Sequence, residues 1–305
     1  MNKIKKIVPL LTFILILSIL PACNMEGKRG ETSDTDREAV EFEDNQDMVR
    51  EEGTRDKEAE EEPATVDKKT AEQTEGSNPE DGQEDTIFLS AEDIRAMDAG
   101  TVLYQEDLAN LEADISDLFT AEEIPDTVFS RMDGVSYGEG CIIPREELRY
   151  VRVLHMGYDG ETHIGEIVCN KVIAEDLLEI FKELYDQKYP IEKILLVDDY
   201  GGNDELSMED NNSSSFNFRP VAGTDRLSRH AYGLAIDINP LYNPYITSRG
   251  YTPENAGDYV DRSADNPYKI DENDLCFKLF DDRGFTWGGN WNSVKDYQHF
   301  QKDID

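Results

Sequence analysis

Residues 24–86 hold 23 acidic and 8 basic side chains, with Phe42 as the only aromatic. Such a stretch cannot bury enough apolar surface to offset the entropy lost on ordering, and its like charges repel one another. It reads as a disordered, extended tether, and it confines any packed core to residues 87–305. That remainder carries 44 acidic and 19 basic residues and is long enough for a proper core without disulfide support. The whole chain has a formal net charge of −37. This balance argues against nucleic acid, which needs a basic patch to neutralise phosphates, and against electrostatic docking on anionic lipid.

Ahead of the tether, Lys3, Lys5 and Lys6 precede a mostly apolar run from Ile7 to Leu20. The run is short for a membrane span and, with its basic flank, reads as a signal peptide. It ends in Leu20-Pro21-Ala22-Cys23, which resembles the lipobox of bacterial lipoproteins. That resemblance implies cleavage before Cys23 and acylation of its thiol, anchoring the protein by lipid to the outer face of the bacterial cell membrane. An ordinary secretory signal with an incidental cysteine is the alternative. The chain then divides into residues 1–23 (signal), 24–86 (tether), 87–140 (a helical N-terminal part) and 141–305 (the domain bearing the candidate site).

Ser90 before Ala91-Glu92-Asp93 is a helix start, a capping hydroxyl with acids in the first turn. Leu108, Leu111, Ile115 and Leu118 predict a helix over 105–119. Residues 149–154 alternate as a strand, 158–161 turn, and 163–169 return. Residues 174–187 are amphipathic at helical spacing, and 191–197 are a strand rich in Ile, Leu and Val. A polar loop over 198–213, a short strand over 214–219 and a strand over 234–238 follow. Residues 239–270 read as loop, 272–282 as a helix stopped by Gly284, and the chain ends in short strands near 285–287 and 297–300. Hairpins with separate helices point to an α+β domain with a mainly antiparallel sheet and flanking helices.

Chemistry concentrates in two places. Ser228 to Asp237 contains His230 and Asp237, and Lys295 to Phe300 contains Asp296 and His299; the chain has four histidines in all. Two imidazoles and a carboxylate are a donor set for catalytic zinc, which takes three protein ligands and keeps a fourth position for water. His230, Asp237 and His299 are the expected ligands, and Asp296 is the spare carboxylate able to handle a water proton. Gly233 would let the chain turn tightly between the first two ligands.

The pattern S-x-H-x-x-G-x-A-x-D, present as Ser228, His230, Gly233, Ala235 and Asp237, resembles the first motif of the zinc D-alanyl-D-alanine carboxypeptidase family. An acid three residues before a His-Phe pair, here Asp296, His299 and Phe300, resembles its second. The family also includes vancomycin-resistance D,D-peptidases and L-alanyl-D-glutamate endolysins, and Phe285 to Trp291 looks like the endolysin-like branch. The resemblance covers roughly residues 141–301. It implies a Hedgehog/DD-peptidase-like zinc domain, one Zn2+, peptidoglycan stem peptides as substrate, and zinc-activated water as nucleophile with Asp296 as base. It does not separate carboxypeptidase from endopeptidase action. Arg219 matches the arginine ahead of the first motif, whose implied role is to polarise the scissile carbonyl; a structural pairing with a nearby acid is the other reading. A non-catalytic, zinc-containing cell-wall-binding lipoprotein is the alternative function.

Several residues carry two readings. Ser228 hydrogen-bonds substrate or caps its turn. Trp287 and Trp291 wall a peptide groove or pack. Past Cys23 remain Cys141, Cys169 and Cys276, of which Cys276 belongs to a core stripe while Cys141 and Cys169 are open to pairing in an oxidising compartment. His155 and His163 read as packing or solvent-facing, and the pairs Asp198-Asp199 and Asp281-Asp282 as solvated faces rather than calcium loops.

Overall fold

The computed structural model describes residues 88–304; the expected signal peptide, the lipobox cysteine Cys23 and the expected tether over 24–86 lie outside them. Ser90 caps α1 (Ala91–Arg95) in a reciprocal box with Asp93, the arrangement its sequence predicts. After β1 (Val102–Leu103) and α2 (Gln105–Ala109), the expected long helix stops. At residues 110–112 the backbone turns to pair with Leu89, through Leu89 N to Asn110 O at 3.1 Å and Glu112 N to Leu89 O at 2.9 Å. Those bonds replace the helical ones, and helical spacing survives only as shared burial: Leu108, Leu111, Ile115 and Leu118 all join one small core.

β2 (Thr120–Glu122) and α3 (Asp126–Met132) lead into β3 (Leu148–Met156) and β4 (Thr162–Asn170), a hairpin of nine paired positions. The four strands form an antiparallel sheet in the order β1-β4-β3-β2, so residues on both sides of position 141 build it. Asn170 caps α4 (Lys171–Asp186), which lays Ile173, Leu177, Ile180, Phe181 and Leu184 into the main core with Val151 and Val153 of β3. Each such side chain contributes about 1.5–3 kcal/mol by burial.

The strand expected over 191–197 shrinks to β5 (Lys193–Ile194). Its continuation is taken over by the Asn212 side chain, which accepts from Leu195 N and donates to Leu195 O. The polar loop that follows holds a short helix, α5 (Asp204–Glu209), capped by Asn203. β6 (Asn212–Ser213) pairs parallel with β5. Residues 214–219 are extended but join neighbours singly, through Ser214 N to Asp237 O, Phe216 N to Val168 O and Phe218 N to Ser136 O.

β7 (Ala235–Asp237) is an edge strand of a second antiparallel unit, and the excursion expected to be loop contains the hairpin β8 (Tyr245–Thr247) and β9 (Gly250–Thr252). α6 (Leu275–Asp282) precedes the closing strands β10 (Thr286–Trp287), β11 (Lys295–Asp296) and β12 (His299–Gln301). The orders are β10-β12-β7 and β11-β8-β9. The α+β class with mainly antiparallel sheets is therefore the one observed. No helix among the described residues is long and apolar enough to cross a membrane.

The three cysteines after Cys23 are free, so the Cys141–Cys169 pairing open to the sequence is not made. Cys169 is sealed in the main core facing α4, while Cys141 sits half-buried in a separate cluster with Tyr137 and Ile143. Cys276 is buried in the main core, as its stripe predicts. His155 is buried with Nδ1 against the Ile191 carbonyl at 2.8 Å, and His163 pairs with Asp159 at 3.0 Å. Asp198 accepts from Ser136 N and Asp199 pairs with Arg131.

Candidate metal centre

Three elements far apart in sequence deliver the expected ligands. His230 opens a single 3-10 turn that ends at Gly233, which has φ 65°. This left-handed conformation is cheap only for glycine. A Cβ there would also lie 2.6 Å from the backbone nitrogen of Asn170. The turn is thus seated on the start of α4 and sends the chain directly into β7, which carries Asp237. β12 then lies alongside in the register His299 opposite Asp237 and Phe300 opposite Ile236. Directly opposed residues share a face of the sheet, so His299 and Asp237 point together while Phe300 and Ile236 point into the core.

The donor atoms converge. His230 Nε2 lies 3.1 Å from His299 Nδ1 and 3.3 Å from Asp237 Oδ2, and His299 Nδ1 lies 3.0 Å from Asp237 Oδ1. All three residues are buried. Among the described residues they are the set of histidine and acid side chains gathered closely enough to hold a metal ion.

The outer nitrogens settle which donor each ring offers. His230 Nδ1 lies 2.6 Å from the Ser215 carbonyl, so it carries the proton and donates, leaving Nε2 as a lone pair. His299 Nε2 lies 3.1 Å from Gln301 Oε1, which leaves Nδ1 for the shared centre. Such outer contacts orient metal-binding imidazoles and fix their tautomers. Neither partner was found from sequence. Gln301 had a readable signal, standing two residues past His299 on the same strand face; Ser215 acts through its backbone and has none.

The electrostatics favour a cation. Burial would raise the Asp237 carboxyl, but the two histidines outweigh it and hold it well below the usual range. Burial would lower His299, yet the Asp237 hydrogen bond and charge raise it to about 9. The trio thus seeks positive charge, and its two imidazole nitrogens and one carboxylate are a donor set suited to zinc.

Asp296, on β11 opposite Tyr245, behaves differently. Burial, with the nearby Asp237 charge, pushes its carboxyl up to about 7 against the attraction of His299. Its Oδ1 is buried and accepts no hydrogen bond. A carboxylate with a free oxygen and a value near neutrality is suited to accept and return a proton.

Arg219 follows the extended segment whose Asn217 N bonds the His230 carbonyl at 3.2 Å, and its own carbonyl accepts from Ser228 N at 3.1 Å. Its guanidinium pairs with Asp204. Ser228 is buried and its Oγ accepts from His230 N at 3.3 Å, so it caps the turn that carries the ligand. Of the two readings of Trp287, groove wall or packing, the structure gives packing: it is buried, donates from Nε1 to Tyr297 O at 2.9 Å, and packs on Phe277 and Phe300. Its strand places it opposite Phe300, on the apolar face of the sheet. Trp291, half-buried, stands with its ring 5.3 Å from that of His299 and is the tryptophan beside the centre.

Residues 222–302 match the family model described as D-alanyl-D-alanine carboxypeptidase, the family that the two motifs resemble. The match takes in His230, Asp237, Asp296 and His299 and begins after Arg219. No curated protein and no solved structure matches the chain.

Proposed function

We propose that this chain, with the D-alanyl-D-alanine carboxypeptidase family segment at residues 222–302, is a zinc metallopeptidase hydrolysing peptide bonds in peptidoglycan stem peptides. The observation that carries the reading is the buried convergence of His230, Asp237 and His299 beside an acid, Asp296, with an unbonded oxygen. A site built only to hold a metal has no use for that fourth group.

Zinc held by these three side chains would supply a Lewis acid that polarises a carbonyl and makes water nucleophilic near neutral pH. Asp296 accepts a proton from the attacking water as its oxygen bonds to the scissile carbonyl carbon. When the carbon–nitrogen bond breaks, Asp296 returns that proton to the leaving amine. Arg219 serves the carbonyl oxygen: its Nε is buried without a partner, and a permanently charged donor stabilises the negative charge developing there. Trp291 offers a flat wall to the bound peptide.

The signal-like run and the lipobox at Cys23 support a lipid-anchored protein on the outer face of the membrane, with the acidic segment 24–86 giving it reach to the wall. The test incubates purified zinc-loaded protein with muropeptides and reads products by mass spectrometry. Loss of a terminal D-alanine supports carboxypeptidase action, the activity named by the family description, and a cut after L-alanine supports endopeptidase action. Activity undiminished in His230→Ala or Asp296→Ala overturns the site. Binding without any cleavage replaces the enzyme with a wall-binding module.

A further inference from the structure

Arg219 is gripped at one end only. One terminal nitrogen, Nη2, donates to the Asp204 carboxylate, while Nε is buried and has no hydrogen-bond partner. A guanidinium is a rigid planar fork, so fixing one nitrogen fixes the direction of the others. The pair is only 28% and 25% exposed, which spares it most of the screening that makes surface ion pairs weak.

Asp204 is not the cap of its helix. It is the first residue of α5, but the helix start is already closed by Asn203, whose Oδ1 accepts from Glu205 N and Leu206 N. The helix is in turn tied to the strand region of the metal centre. Met208, buried, receives the Gln298 amide at 3.4 Å, and Gln298 immediately precedes His299. Ser207 Oγ accepts from Asn212 at 2.9 Å. The carboxylate that holds Arg219 is therefore carried on an element braced against the site.

We propose that Asp204 is a positioning residue for the reaction: by gripping one terminal nitrogen it fixes the Arg219 guanidinium beside the turn that carries His230, with its remaining N–H groups left to meet the substrate carbonyl oxygen. This rests on the peptidase reading and on the part Arg219 plays in it. Without the Asp204 charge, the guanidinium is released toward the other acids of this region, Glu205 and Glu209 among them, and the donor leaves its place.

The experiment compares full-length, zinc-loaded wild type, Asp204→Ala, Arg219→Ala and the double variant on muropeptides. It measures kcat, KM, zinc affinity by chelator competition, and melting temperature. Asp204→Ala is expected to lose about ten- to a hundredfold in kcat, with zinc affinity unchanged and melting lowered no further than in Arg219→Ala. The double variant should be no slower than Arg219→Ala alone, because the two residues act as one unit. Full activity in Asp204→Ala, or a loss that adds undiminished to that of Arg219→Ala, overturns the proposal while leaving the peptidase standing. A zinc-loaded wild type inert on every muropeptide overturns both. If Asp204→Ala does not fold, Asp204→Asn keeps shape and an acceptor but not the charge, and must show at least a tenfold loss that vanishes in the Arg219→Ala background.

Discussion

Asp237 is a buried carboxylate, a group that a fold tolerates only when positive charge or several donors face it. Here two imidazoles do so, and each imidazole is aimed by an outer acceptor. His230→Ala removes one of the three ligands, and bound zinc should fall by at least about tenfold in a chelator titration, since loss even of an outer contact costs that much. Gln301→Ala keeps all three ligands but frees the His299 ring, and affinity should drop by about ten- to a hundredfold. An unchanged affinity would mean that Gln301 does not orient His299. Asp296→Ala should retain zinc and lose about 10²–10⁴ in kcat, the usual contribution of a general acid–base group. A variant that loses zinc instead would make Asp296 a ligand.

At the scale of elements, the centre depends on one turn and one strand register. Gly233→Ala forces a side chain into a left-handed conformation, costing about 1–3 kcal/mol, and sets its Cβ against the Asn170 backbone. Because His230 lies just before the turn and Asp237 just after it, zinc affinity should fall together with the urea midpoint. Unaltered affinity in a destabilised protein would show that the turn supports the fold but not the site. Phe300 locks β12 from the other face, fully buried and stacked on Phe280 at a centroid distance of 4.3 Å. The network that includes Glu166, Arg131 and Tyr150 does comparable work on the first sheet, tying α3 to β4 and β3.

For the molecule as a whole, stability should answer to both metal and acid. Zinc held at the folded centre would stabilise it: a thousandfold excess over Kd adds about 4 kcal/mol, and chelation should lower the melting temperature by roughly 10 °C. No shift on chelation would argue that no metal is held. His155, far from the ligands in sequence, has its value pushed down by burial to about 3 from an ordinary 6.5. The folded protein therefore refuses a proton that the unfolded chain accepts. The stability this represents is present above about pH 6.5 and drains away as pH falls toward 3. Urea unfolding at pH 7 and pH 4.5 should show wild type losing more than His155→Asn, whose amide keeps the donor to the Ile191 carbonyl without titrating. Parallel losses in the two proteins would remove His155 as the cause.

Residue chemistry and local spacing alone singled out the candidate ligands His230, Asp237 and His299 with the spare acid Asp296, and they determined the Ser90 cap, the β3–β4 hairpin and α4, because each motif or element is written in its own stretch of chain. The α+β class followed from the order of those elements. Tertiary structure decided the rest. The register of β12 against β7 turned two separated motifs into one centre, and only long-range pairing sets a register. The pairing of residues 110–112 with Leu89 broke a helix that the apolar spacing supports equally well. Burial against Phe277 and Phe300 took Trp287 out of the site and left Trp291 beside His299. The Asp204–Arg219 pair spans a loop, a helix and an extended segment, and no periodicity reports a contact between side chains brought together by the packing of their elements.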